Sequence, residues 1–118
     1  MLKAIIKGNV PSKSSCYKII KLGKFYSLGK TKALTDYEKS FYIQLDQKLK
    51  GAEVGLFNFE IDVYYSSMRP DLDNSFKIVL DCLQKTKTIL NDNKCMSIVA
   101  RKHVDKDNPR CEFIIYPI

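Results

Sequence analysis

The sequence predicts an α+β fold: one domain spanning residues 1–118, with a mixed β-sheet and two principal helices. Apolar residues alternate at period two in several stretches and recur at three- and four-residue spacing in two others, and 118 residues leave little room for a second core. At 45% hydrophobic and 28% charged, the composition is that of a globular domain, which excludes a disordered tail.

Residues 2–7 predict a short first strand, and the polar run around Pro11-Ser12-Lys13-Ser14 predicts a loop. Residues 16–28 alternate loosely around Gly23, predicting a hairpin whose lysines, Lys18, Lys21, Lys24 and Lys30, line its solvent side. Between Leu34 and Leu49 the apolar positions Leu34, Tyr37, Phe41, Leu45 and Leu49 mark an amphipathic helix ending near Gly51, with Thr35 and Glu38 spaced as a capping box. Residues 54–65 switch to alternation, with Phe57, Phe59, Ile61, Val63 and Tyr65 on one face of a strand. From Asn74 to about residue 88 the helical period returns in Phe76, Val79, Leu80 and Leu83. Two strands follow, near 96–103 and 110–116, separated by the turn-forming run Asp105-Lys106-Asp107-Asn108-Pro109.

The net charge of +7 is unevenly placed. Residues 1–50 hold eleven Lys against three Asp or Glu, giving +8, while residues 51–118 hold nine Lys or Arg against ten acids, giving −1. A basic half of this kind suits a phosphate backbone, and equally a solvated lysine-rich face. The basic candidates for nucleic-acid contact are Lys13, Lys18, Lys24, Lys30, Arg69, Lys94, Arg101 and Lys102. Cys16, Cys82, Cys95 and Cys111 have no paired spacing and share the chain with a single His103, so they read as reduced thiols and not as a zinc site. The apolar run after Met1 is too short for a signal peptide and no segment predicts a membrane span, so a cytoplasmic protein is expected.

Acid is concentrated against the prevailing charge in Arg69-Pro70-Asp71-Leu72-Asp73-Asn74-Ser75-Phe76-Lys77. Pro70 disfavours helix at Arg69, so the strand and its tail end there and Asp71 falls on the connector. Asp73 or Asn74 is placed to cap the following helix. Asp73, Lys77 and Asp81 then recur at four-residue intervals, about 40° apart, and present carboxylate, ammonium, carboxylate on one flank. Taken alone this stripe is a helix cap plus two exposed ion pairs. Asp71 and Asp92 extend it beyond the helix, and convergence of Asp71, Asp73 and Asp92 would suit Mg²⁺, a hard ion that takes oxygen ligands. Lys77 would then add positive charge beside a phosphate, with Asp81 supporting it. Ser75 and the cysteines have no adjacent base and are weaker nucleophile candidates.

The run from Arg69 to Leu83 resembles the signature of the RusA family of Holliday junction resolvases, an RPDLDN-like segment leading into a K-x-x-x-D-x-L helix. Asn91-Asp92 takes the place of that family's Asp-Asp pair, with Asn91 replacing the first aspartate. The resemblance implies a RusA-like domain, with Asp71, Asp73 and Asp92 as catalytic carboxylates holding Mg²⁺ (Mn²⁺ as a substitute) and Lys77 as an essential lysine. It further implies a homodimer that cuts two opposed strands of a four-way DNA junction in a bacterial cell, phage- or prophage-encoded in many members. The rival expectations are a non-catalytic module that binds branched DNA and a phage-encoded regulator whose basic surface meets an acidic protein.

Overall fold

The computed structural model describes residues 1–12, 17–23 and 25–118. Among them the elements run β1 (Leu2–Lys7), β2 (Tyr17–Leu22), β3 (Phe25–Lys30), α1 (Lys32–Gln44), β4 (Phe57–Tyr65), α2 (Leu72–Lys85), a 3-10 turn (Asp92–Lys94), β5 (Cys95–Val104) and β6 (Arg110–Pro117). Lys13 and Lys24 lie outside the described residues, as does the side chain of Lys18.

The main sheet has the order β1-β6-β4-β5. Its β1–β6 and β4–β6 ladders are antiparallel and its β4–β5 ladder is parallel, so the sheet is mixed, as the sequence predicts. β2 and β3 form a separate antiparallel hairpin. A parallel pair needs a crossover, and α2 supplies it, running back along the sheet between β4 and β5.

One face of the sheet is the core. Phe57, Phe59, Ile61, Val63 and Tyr65 are buried at every second position of β4, together with Leu34, Tyr37 and Phe41 of α1 and Ile78, Val79, Leu80 and Leu83 of α2. Phe113 of β6 joins the layers, stacked on Phe41 at 6.1 Å and tilted against Phe59 at 5.9 Å between ring centroids. Each such side chain contributes about 1.5–3 kcal/mol on burial, so this layer holds the β4–α2 junction in place. The alternate residues of β4, Asn58, Glu60, Asp62 and Tyr64, face the other side and are half-buried. No helix among the described residues is long and apolar enough to cross a membrane.

Both helices differ from expectation at their ends. α1 begins at Lys32, capped by Thr31, whose hydroxyl accepts from Leu34 N at 3.4 Å. The expected Thr35–Glu38 capping box does not form, because the helix begins three residues earlier and Thr35 lies inside it, its N–H donating to Thr31 O at 3.1 Å; Glu38 is ion-paired with Lys30 and Lys85. α1 stops at Gln44, and Leu45 and Leu49 reach the core from the turns that follow. α2 stops at Lys85, three residues early. Lys87 adopts φ 57°, and Thr88 N and Lys87 N donate back to Leu83 O and Gln84 O at 2.9 and 3.1 Å, closing the helix in a Schellman motif with lysine in the left-handed position.

Candidate active site

β4 ends at Tyr65, and α2 begins at Leu72 with Asp71 in the N-cap position at φ −89°, ψ 136°. The expected cap by Asp73 or Asn74 does not occur. Asn74 instead donates its side-chain amide to Pro11 O at 3.2 Å, tying the helix start to the loop after β1. Asp71 makes no side-chain capping bond, so its carboxylate is left for another partner. Asp73 lies in the first turn, where the helix dipole favours negative charge.

Asp71, Asp73, Lys77 and Asp81 line one cleft of about 1020 Å³, with Arg69 at its margin. All five are exposed. The two ion pairs expected along this flank are absent: none of the ion pairs among the described residues includes Asp73, Lys77 or Asp81. Lys77 still acts on Asp81 through its charge. Partial desolvation at the helix surface is the largest influence on the Asp81 carboxyl and raises its pKa, Asp92 raises it further, and Lys77 and Lys30 pull it back only in part.

Beneath the start of α2 lies a buried hydroxyl pair. Tyr65 and Ser75 are hydrogen-bonded to each other in the buried layer, and Tyr65 Oη donates to Asp71 O at 3.3 Å. The Tyr65 phenol is pushed above its ordinary pKa by burial and by the charges of Asp71 and Asp73, against the opposing effect of its bond to Ser75. Both carboxylates are therefore felt at one point beneath the loop. Ser75 is 1% exposed and already bonded, which removes it as a nucleophile. Cys82 and Cys111 are both pushed up to about 12, chiefly by burial, which leaves them as thiols at neutral pH.

Asp92 is elsewhere. The expected convergence of Asp71, Asp73 and Asp92 requires the chain to return to Asp71 on entering β5. An antiparallel helix carries the chain away from Asp71. β5 then starts opposite the beginning of β4, with Cys95 in register with Phe57, while the Asp71 end lies at the Tyr65–Val104 end of the ladder. Asp92 sits beside the last turn of α2, where Gln84 Oε1 accepts from Asp92 N at 3.0 Å. Thirteen residues of helical rise separate Gln84 from Asp71, about 20 Å. Asp71, Asp73 and Asp92 thus do not converge within one chain, and among the described residues no three His, Cys, Asp or Glu side chains are grouped to hold a metal ion. Asn91 has a local role, its side chain accepting from Asn93 N at 3.0 Å to cap the 3-10 turn.

The basic candidates divide in the same way. Arg69 borders the cleft, and Lys94 is exposed at the start of β5. Lys30 pairs with Glu38 at 3.1 Å. Arg101 is engaged by Asp62 at 2.9 Å and by Glu60, hydrogen bonds that hold its guanidinium pKa up. The Lys102 ammonium donates to Met68 O and Pro70 O at 2.8 and 2.6 Å. Arg101 and Lys102 are thus bound within the fold and not presented as a free basic strand edge. Tyr65 and Lys102 both support the acidic loop, and of the two only Tyr65, a tyrosine ending the strand before the motif, carries a signal in the sequence.

Two carboxylates without side-chain ion-pair partners among the described residues, on one cleft, form an oxygen-only donor set, which fits Mg²⁺, an ion that commonly takes one or two carboxylates and completes its shell with water and substrate phosphate. The family model for Endodeoxyribonuclease RusA matches residues 29–116 of the chain. No curated protein matches it.

Proposed function

Because the chain belongs to the RusA family of endodeoxyribonucleases, we propose that it resolves four-way DNA junctions as a homodimer, by Mg²⁺-dependent hydrolysis of one phosphodiester in each of two opposed strands. The observation that carries this reading is the pairing of Asp71 and Asp73 on one cleft, their carboxylates clear of the capping bond and ion pairs that would otherwise occupy them.

Asp71 and Asp73 are the residues that would hold the cation. When bound, Mg²⁺ would supply positive charge to the scissile phosphate and lower the pKa of an attacking water. Lys77, one helical turn from Asp73 on the same cleft, presents its ammonium to a phosphate oxygen as that oxygen gains charge. Arg69 at the margin neutralises the adjoining backbone. Asp92, beside the last turn of α2 in its own chain, stands apart from this pair. The basic amino-terminal half, +8 over residues 1–50, supplies the wider electrostatic attraction to DNA.

The test is incubation of purified protein with a synthetic four-way junction, with and without Mg²⁺. Paired, metal-dependent nicks are expected, together with binding that weakens steeply with salt. Tight binding without cutting would replace the nuclease by a branched-DNA-binding module, and absent or salt-insensitive binding would favour a protein partner.

A further inference from the structure

The segment between β4 and α2 has no ladder of its own, and Pro70 can donate no backbone hydrogen bond. Its carbonyls are nevertheless anchored one after another. Lys102, in register with Val63 on β5, donates to Met68 O at 2.8 Å and to Pro70 O at 2.6 Å, with its ammonium 5.5 Å from the centre of the Tyr65 ring. Tyr65 Oη donates to Asp71 O at 3.3 Å, and Ser75 Oγ lies 3.5 Å from the same oxygen. A cation from β5 and the Tyr65 hydroxyl from β4, itself bonded to Ser75 of α2, therefore fix three of the four carbonyls from 68 to 71. The side chain of Asp71, lacking a cap bond, is oriented by its backbone alone.

We propose that Lys102 is a positioning residue for the Asp71–Asp73 pair. Its ammonium cross-links β5 to the acidic loop, so that the backbone leading into Asp71 and Asp73 is held in place. The inference rests on the reading of Asp71 and Asp73 as the cation-holding pair. It makes Lys102 a part of the metal site that touches neither metal nor DNA, whereas a lysine on a basic strand would ordinarily be assigned to phosphate.

The test uses Lys102→Met, which keeps the aliphatic stem and removes the charge, in the full chain. Partners that orient metal ligands typically change metal affinity by about 10–100-fold. The expected result is a rise of about tenfold or more in the Mg²⁺ concentration for half-maximal junction cleavage, and a matching weakening of direct Mn²⁺ binding followed by electron paramagnetic resonance. Junction affinity in EDTA should change by less than about twofold, with an unchanged salt slope. Loss of junction affinity with a salt slope shallower by about one and an unchanged metal requirement would make Lys102 a phosphate contact and overturn the proposal. Should Lys102→Met fail to fold, Tyr65→Phe removes the hydroxyl on Asp71 O without altering any charge. A Mg²⁺ requirement shifted in the same direction supports the anchored loop, and an unshifted one overturns it. Asp71→Asn separates the two levels: undiminished cleavage in that variant defeats the cation-pair reading, whereas abolished cleavage beside a silent Lys102→Met defeats only the positioning role.

Discussion

Glu60 and Asp62 on β4 and Asp71 and Asp73 at the start of α2 are two acidic pairs separated by fewer than a dozen residues, and the fold treats them oppositely. The β4 pair lies on the sheet face away from the helices, where neighbouring strands supply partners: Arg101 bonds both residues, His103 Nε2 lies 2.7 Å from Asp62, and Tyr116 donates to Glu60 at 3.1 Å. The α2 pair lies where a strand gives way to a helix, and among the described residues no such partner faces it. Strand register distributes countercharge at every second residue, whereas a connector exposes its side chains to whatever binds from outside. Acid without partners, more than acid as such, distinguishes the candidate site.

The largest effect expected from this contrast is on cleavage. Asp71→Asn or Asp73→Asn should lower the cleavage rate of a four-way junction by more than about a hundredfold, several kcal/mol of lost transition-state stabilisation, with junction binding in EDTA retained. Equal losses from Asp62→Asn would break the comparison; activity in that variant within about twofold of wild type sharpens it. Next comes a pH effect on stability. Burial raises the Asp62 pKa, but the hydrogen bonds from His103 and Arg101 and their charges outweigh it, so its folded value lies below its unfolded one. Its contribution is therefore present above the ordinary aspartate range and is lost as pH falls through the folded value. Acid titration followed by circular dichroism should show a shallower loss of stability in Asp62→Asn than in wild type, by under about 1 kcal/mol for a pair this exposed. The smallest effect has the opposite sign. Partial desolvation and then Asp92 hold the Asp81 carboxyl above its ordinary pKa, so the ionised form opposes folding at neutral pH. Asp81→Asn should melt about 1–2 °C above wild type at pH 7, and the difference should close near pH 3.

The strands and the amphipathic faces were legible because each is a short periodic pattern with one buried side. Residues 2–7 and the alternation through Tyr65 match β1 and β4 closely, and the second helix was recognisable from Phe76, Val79, Leu80 and Leu83. Helix ends were less so. Thr31 and Thr35 both offered a cap hydroxyl before the same apolar stripe, and the helix took the earlier one; Lys87 entered the left-handed region with no glycine to announce it. The acidic motif was plain from its charge, but the position of Asp92 depended on a parallel β4–β5 ladder, and pairing direction is a property of the whole sheet that no local window contains. The restraint of Lys102 was hidden for a related reason. Its partners are carbonyls 32 and 34 residues away, which are the same in every sequence and leave no trace in the side chains.

The parallel ladder also carries a kinetic consequence. Loop closure across the α2 crossover must precede any β4–β5 hydrogen bond, so the strand bearing Lys102 joins after the hairpins and helices that local contacts can form. The acidic loop is then among the last segments to be fixed. A chain still emerging or partly folded would carry its basic amino-terminal half before it carried an organised acidic loop, and hydrogen exchange during refolding should protect the amides of α2 before those of β5.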